Sequence, residues 1–318
     1  LPTLSRWIRE TKMLLIALGI LAVSFLGIEG LLKILYVLRL GVGPEYLGYF
    51  NASGALTYMA MSLPSGALGA RFGPRKVMFL GGVVFVIGFA LMPLAEFVPL
   101  WAKEAWPIAM QMLLTAGWCM FNVNMVPTLT LATTVENRSS AFAWSGVLRG
   151  LGTFLGTTLG GFLPAFFAFL WGASLDSPGP YRWGLWLGAA LGLGALIPLS
   201  RLRRGEASVA KKEAARPRGP FPNRWLTVLI AHVMFSHGGW TTTQAFASAY
   251  MDTDLHLSSA SIGIIMGVGQ FVAIFAPLWI PRLGRQFTNG WIMMVCTLGM
   301  AVSLAPMALA PHWAAASI

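Results

Sequence analysis

From residue 13 to residue 311 the chain keeps returning to apolar runs of bilayer-crossing length, and this repetition decides what it can become. A helix needs about 20 mostly apolar residues to cross the hydrocarbon. Runs of that kind lie near 13–38, 46–70, 76–97, 106–132, 141–170, 184–200, 225–250, 261–280 and 291–311. The expected fold is therefore all-α: a polytopic membrane protein with about nine transmembrane helices. Charge content agrees, since only 10% of residues are charged and mean hydropathy is +0.69, against roughly 25% charged in a soluble domain. The first run, MLLIALGILAVSFLGIEGLLKILYVL, is too long for the apolar core of a secretion signal and no small-residue cleavage site follows it. It reads as a retained span.

A net charge of +11 would suggest nucleic acid for a soluble chain, but cations in a membrane protein first report topology. With the N-terminus in the cytoplasm, the inside segments hold Arg6, Arg9, Lys12, Arg71, Arg75, Lys76, Arg138, the basic residues of 200–224, Arg282 and Arg285, which is 17 of the 22 cations. Outside fall Arg39, Lys103 and Arg182, while Lys33 and Arg149 lie within spans. The positive-inside rule accounts for the excess, and nucleic acid drops out as a partner. The one long polar stretch, SRLRRGEASVAKKEAARPRGPFPNR, reads as a linker. The expected organisation is a six-helix unit over 1–200, a basic cytoplasmic linker over 201–224, and the first three helices of a second unit over 225–318.

Two turns repeat. ARFGPRK follows the second span and PRLGRQF follows the eighth, so Arg71 and Gly73 match Arg282 and Gly284. Upstream, LGVGPEYLG (40–48) and LHLSSASIG (255–263) fill matching outside turns. Six spans, a basic linker and the start of a second set fit a duplicated architecture with pseudo-twofold-related halves.

On these residues the chain resembles the major facilitator superfamily. The family's signature turn, G-x-L-x-D-R-x-G-R-K, is met in register by Gly66, Leu68, Arg71, Gly73, Arg75 and Lys76, with Pro74 in addition and Ala70 in place of the acid. In the family that acid and the cations lock the inner gate; with Ala70 here, Arg71, Arg75 and Lys76 either serve only as topology anchors or find another acid for that job. GTFLGTTLGGFL (152–163) resembles the family's fifth-helix motif G-x-x-x-G-P-x-x-G-G through Gly152, Gly156 and Gly160, with Thr157 at the proline position. An arginine found in the fourth span of many proton-coupled members has no counterpart near QMLLTAGW. The resemblance implies twelve helices, three of them beyond residue 318, and a central cavity lined by the first, fourth, seventh and tenth.

Polar groups inside spans are the candidate site. Glu29 and Lys33 stand four apart, share a helix face and can pair; burial in lipid is costly, so they are expected to face the bundle interior. They could couple a proton and hold an anionic group, or form a structural ion pair. Arg149, about 12 Å from the inside end of its span at helical rise, could snorkel or pair with Glu136 or an acid beyond residue 318. The glycines beside it favour a structural or gating role. Asn122 and Asn124 cannot both face the cavity easily. His237, Thr241 and Gln244 form one helical stripe, with His237 able to titrate near neutral pH. His232 reads as interfacial, and Asn51 as a helix-to-helix hydrogen-bonder. Tryptophans such as Trp101, Trp106, Trp171, Trp183, Trp186, Trp225 and Trp291 mark span ends, as interfacial belts do.

Enzyme signatures are missing: there is no P-loop, no H-E-x-x-H and no Cys/His cluster. Cys119 and Cys296 both sit in apolar runs, so neither a disulfide framework nor a metal site is indicated. No enzyme activity and no cofactor are expected. The leading expectation is a secondary transporter, multi-pass in a bacterial cytoplasmic membrane with its N-terminus inside, moving a small solute by alternating access on a proton or substrate gradient. The alternative is a transport-inactive relative serving as an assembly factor or structural subunit of a larger membrane complex.

Overall fold

The computed structural model describes residues 9–202, 227–228, 231–232, 235, 246–275, 283 and 286–309. Every regular element among them is helical: α1 (Arg9–Arg39), α2 (Pro44–Phe72), α3 (Pro74–Leu91), α4 (Ala105–Leu131), α5 (Val135–Trp171), α6 (Gly179–Ser200), α7 (246–253), α8 (Ser259–Ala273) and α9 (Asn289–Leu309). Four of them are long and apolar enough to cross a membrane by length and composition: α1, α3 with its 3-10 extension to Glu96, Ser140–Trp171 of α5, and α6. α1 to α6, α8 and α9 overlap the expected spans with later or earlier starts, while most of the seventh span, 225–250, lies outside the described residues. α5 begins at Val135 and α6 at Gly179, each several residues before its apolar run, because a polar or proline-led first turn extends the helix past the hydrophobic ruler.

The connection between α2 and α3 is tighter than its composition suggests. Gly73 alone separates them, at φ 92° and ψ 134°, backbone that side-chain-bearing residues rarely adopt. Pro74 then opens α3 at a position where its missing N–H costs nothing.

α1 is the most enclosed helix, with Leu14, Leu18, Leu21, Ile28, Leu31, Leu32, Leu35 and Tyr36 all buried. Its apolar residues run all the way round, as a helix surrounded by others requires. α5 and α6 pack on it, α3 packs on α4 and α6, α2 on α4, and α8 on α5. Ser24 Oγ donates to Gly188 O of α6 at 2.7 Å, and Tyr36 Oη donates to Pro93 O at 2.9 Å.

From Ala22 to Glu29 α1 widens into a π-helix, ending where Gly30 N–H bonds back to Phe25 O. This stretch lies on the fifth-helix glycines. A Cβ on Gly156 would strike Val23 O and sit 2.8 Å from Gly27 Cα, and one on Gly152 would lie 2.6 Å from Ala22 Cβ. Gly160 approaches Ile28 Cα, while the next residue, Gly161, faces Gly263 of α8. Spacing of four keeps 152, 156 and 160 on one face. α5 is thus gripped between α1 and α8 with backbones in contact.

Candidate functional site

Phe25, Glu29 and Lys33 follow one another at four-residue intervals on α1. Lys33 Nζ lies 3.0 Å from Glu29 Oε1, with the lysine side chain 14% exposed and the glutamate 1%. The carboxylate is sealed inside the bundle rather than turned to acyl chains. A charge so buried is tolerated only with a partner. Lys33 Nζ also sits 6.0 Å from the centre of the Phe25 ring. That ring meets Phe85 of α3 edge-on at 5.0 Å and Trp118 of α4 at 4.4 Å.

Beyond Trp118 stands a second polar group. Arg149 of α5 has its guanidinium carbon 6.0 Å from the Trp118 ring centre, and its Nη2 donates to Asn122 Oδ1 of α4 at 3.1 Å. Asn122 Nδ2 donates in turn to Tyr58 Oη of α2 at 2.8 Å. Three helices therefore supply one hydrogen-bonded chain, separated from the Glu29–Lys33 pair by two aromatic rings. α5 starts at Val135 but its apolar span starts at Ser140, so Arg149 lies about 14 Å into that span at 1.5 Å per residue, close to the depth that the apolar run implies. Its partner is the neutral Asn122 rather than an acid; the side chain of Glu136 lies outside the described set.

Asn124 belongs elsewhere. Its Nδ2 donates to Ser65 O at 3.2 Å and to Met120 O at 2.9 Å, and the side chain is buried against Gly69. It cements α2 to α4. Asn51, expected to bond a neighbouring helix, donates instead to Leu47 O of its own helix at 2.8 Å, which a short amide reaches with no help from packing.

In the α2–α3 turn, Arg75 Nη2 bonds Glu10 Oε2 of α1 at 2.6 Å, so an acid from another helix pairs with a cation of the turn where Ala70 cannot. Arg71 is exposed and leans on Phe72 at 5.2 Å. Lys76 is exposed, and Gly66 makes only ordinary contact with Val123. His237, Thr241, Gln244, Arg282 and Gly284 lie outside the described residues. His232 helps line an open, mainly apolar cavity of about 440 Å³ against Met293, Met294 and Leu298 of α9. That volume carries no cluster of ionisable groups and is not where the polar chemistry converges.

Several partners escape sequence reasoning: Tyr58, Glu10, Asp252, and Phe25 with Trp118. Trp118 offered one signal, since it falls at the middle of its helix rather than at an end where interfacial tryptophans gather. Pairs such as Arg39 with Asp252 and Arg182 with Glu96 join residues far apart in the chain, which spacing does not reveal.

A family model described as Major Facilitator Superfamily matches residues 13–318. No curated protein matches the chain. Among solved structures, a D-xylose-proton symporter superposes with a TM-score of 0.64 at 16% identity, over 86% of this chain and 69% of that one. Tetrameric PepTSo2 gives 0.46 at 17% identity, over 94% of this chain and 58% of that one.

Proposed function

The chain belongs to the major facilitator superfamily, an integral membrane transporter family, and from that premise we propose that it is a secondary transporter of a small solute working by alternating access. The solute binds on the wall formed by Lys33, Phe25, Trp118, Asn122, Arg149 and Tyr58. Glu29, locked to Lys33, is the coupling group, exchanging a proton as the halves rock about the site. Residues 1–200 form one half and 225–318 the start of the other, joined by the basic linker 201–224. The N-terminus is cytoplasmic, in a bacterial inner membrane.

The observation that carries this reading is the ion pair at depth: a carboxylate 1% exposed and 3.0 Å from a lysine, on the most enclosed helix, with two aromatic rings between it and the Arg149–Asn122–Tyr58 chain. A purely structural helix gains little from such a pair, since apolar side chains of similar volume are often as stable or more so. The test is solute uptake by proteoliposomes under an imposed proton gradient, wild type against Glu29→Gln. Gradient-driven accumulation that vanishes in the variant while downhill exchange persists supports the assignment. Equal accumulation in both removes Glu29 from coupling.

A further inference from the structure

We propose that Arg149 is the anion-binding residue of this wall, and that the solute is a small organic anion: a carboxylate with an apolar body that lies against Trp118. Calling that anion the cargo rests on the transporter reading above; its binding does not.

The first ground is charge. Among the described residues, Lys33, Arg39, Arg75 and Arg182 each have a carboxylate within 4 Å: Glu29, Asp252, Glu10 and Glu96. Arg149 has none, yet it stands about 14 Å inside the apolar span of α5 and is tied sideways to α4. Snorkelling does not describe it, because a snorkelling side chain runs toward its helix end and water, whereas this one is held by Asn122 and covered on one face by Trp118. With Glu29 neutralised by Lys33, the described residues of the wall are left with one positive charge that has no carboxylate beside it. A cation kept at that depth marks a functional site by default, and a monoanion is its natural complement.

The second ground is the kind of hydrogen-bonding capacity left over. A guanidinium has five N–H donors and no acceptor, and Asn122 takes one. Among the described residues, side-chain atoms sealed without a partner occur on Arg75, Arg138 and Arg182 but not on Arg149, which is half-buried, so its spare donors are not sealed. Tyr58 Oη already accepts from Asn122 Nδ2, which leaves its O–H to donate outward. The free groups are donors. An alcohol or a neutral amide needs acceptors as well as donors to be satisfied, whereas a carboxylate only accepts. The fork of Arg149 suits a carboxylate edge, and the tilted Phe25–Trp118 pair provides an apolar flank.

The experiment measures equilibrium binding and thermal shift on the purified chain in detergent, with acetate, benzoate and indole-3-acetate, each against its neutral amide, at constant ionic strength. At least one carboxylate should bind saturably while its amide does not. Arg149→Gln should weaken that Kd on the order of 10- to 100-fold, the effect of losing a charge-assisted bidentate contact. Arg149→Lys should retain part of the affinity. Tyr58→Phe, which keeps the ring and removes one donor, should weaken it about 5-fold with an unchanged melting curve, so that the inference stands even where Arg149→Gln fails to fold. Amides binding as tightly as their acids, no carboxylate binding, affinity indifferent to Arg149 and Tyr58, or saturation by chloride or inorganic phosphate alone would each overturn it. Uptake separates the two readings. A neutral solute that is carried without competition from any carboxylate removes the anion site and keeps the transporter; Arg149-dependent binding with no flux does the reverse.

Discussion

Arg39 grips Asp252 with both arms of its guanidinium, Nη1 to Oδ2 at 2.6 Å and Nη2 to Oδ1 at 2.8 Å, joining the end of α1 to α7 across 213 residues of sequence. The same arginine donates Nε to Leu175 O at 3.1 Å and lies 5.3 Å over the Tyr181 ring. One side chain thus fastens α1 to α7, to α6 and to the loop before it. At the other end of α1, Glu10 holds Arg75. The enclosed helix is pinned by ion pairs at its two ends and by glycine contacts between them.

Because Asp252 is only 5% exposed at the side chain, removing Arg39 strands a carboxylate. Arg39→Ala is expected to cost about 2–3 kcal/mol, within the range for losing one partner of a charged, desolvated hydrogen-bonded pair. Arg39→Lys should recover only part, since a lysine cannot make the fork. In a thermal-melt double-mutant cycle with Asp252→Ala, the losses should be strongly non-additive. Additive losses would mean that the two side chains do not hold each other.

The Glu29–Lys33 pair makes an asymmetric prediction. Lys33→Gln leaves a carboxylate that is 1% exposed with no cation beside it, whereas Glu29→Gln leaves an ammonium with some access to water. The lysine variant should therefore be the less stable of the two, by about 1–3 kcal/mol. The double variant should recover much of the loss. Melting temperatures in one detergent at one pH decide it, and equal destabilisation by the two single variants would show that Glu29 is not sealed.

Much of this architecture is readable from hydrophobic period and charge. Spans 1 to 6 appear where apolar runs of helical length stand, because the bilayer permits few other solutions. The one-residue connection at Gly73 was less legible: glycine and proline mark a break, but not how short it is. The site divides in the same way. Glu29 with Lys33 follows from helix arithmetic alone. The association of Arg149 with Asn122 and Tyr58 does not, because it depends on how α2, α4 and α5 are rotated about their axes, and that rotation is set by packing between helices: glycine backbone contacts of α5 on α1 and α4 on α3, and α4 side chains against the glycines of α2. Asn122 and Asn124 show the point. Two residues apart, they serve different ends, one toward Arg149 and one into the α2 interface.

That division can be measured. Asn124→Ala deletes a buried amide bonded to two carbonyl oxygens, removing the α2–α4 bond to Ser65 O, and should lower stability by about 1–3 kcal/mol. Asn122→Ala removes a half-buried group and should change the melting temperature little, while depressing solute uptake by proteoliposomes several-fold through release of Arg149 and Tyr58. Uptake normalised to folded protein distinguishes them. The assignment is wrong if Asn122→Ala melts earlier than Asn124→Ala with transport intact.

The glycines of α5 lead to the last expectation. At Gly156 an added methyl meets the Val23 carbonyl and the Gly27 backbone, atoms that no rotamer change can move aside, whereas at Gly269 of α8 nothing lies within 4 Å. Gly156→Ala should therefore cost at least the 1–3 kcal/mol usual for overpacking, and more where the π-helical stretch of α1 must shift. Gly269→Ala should be neutral or gain a few tenths of a kcal/mol, because alanine loses less backbone freedom in a helix. The shift would also carry Phe25 and Glu29, which share that stretch, away from Trp118. Gly156→Ala should thus lose uptake out of proportion to its melting temperature, and a paired variant, Gly27→Ala, should reproduce the defect from the opposite face. If Gly156→Ala melts and transports like Gly269→Ala, the backbones of α1 and α5 are not in contact and the wall is assembled in some other way.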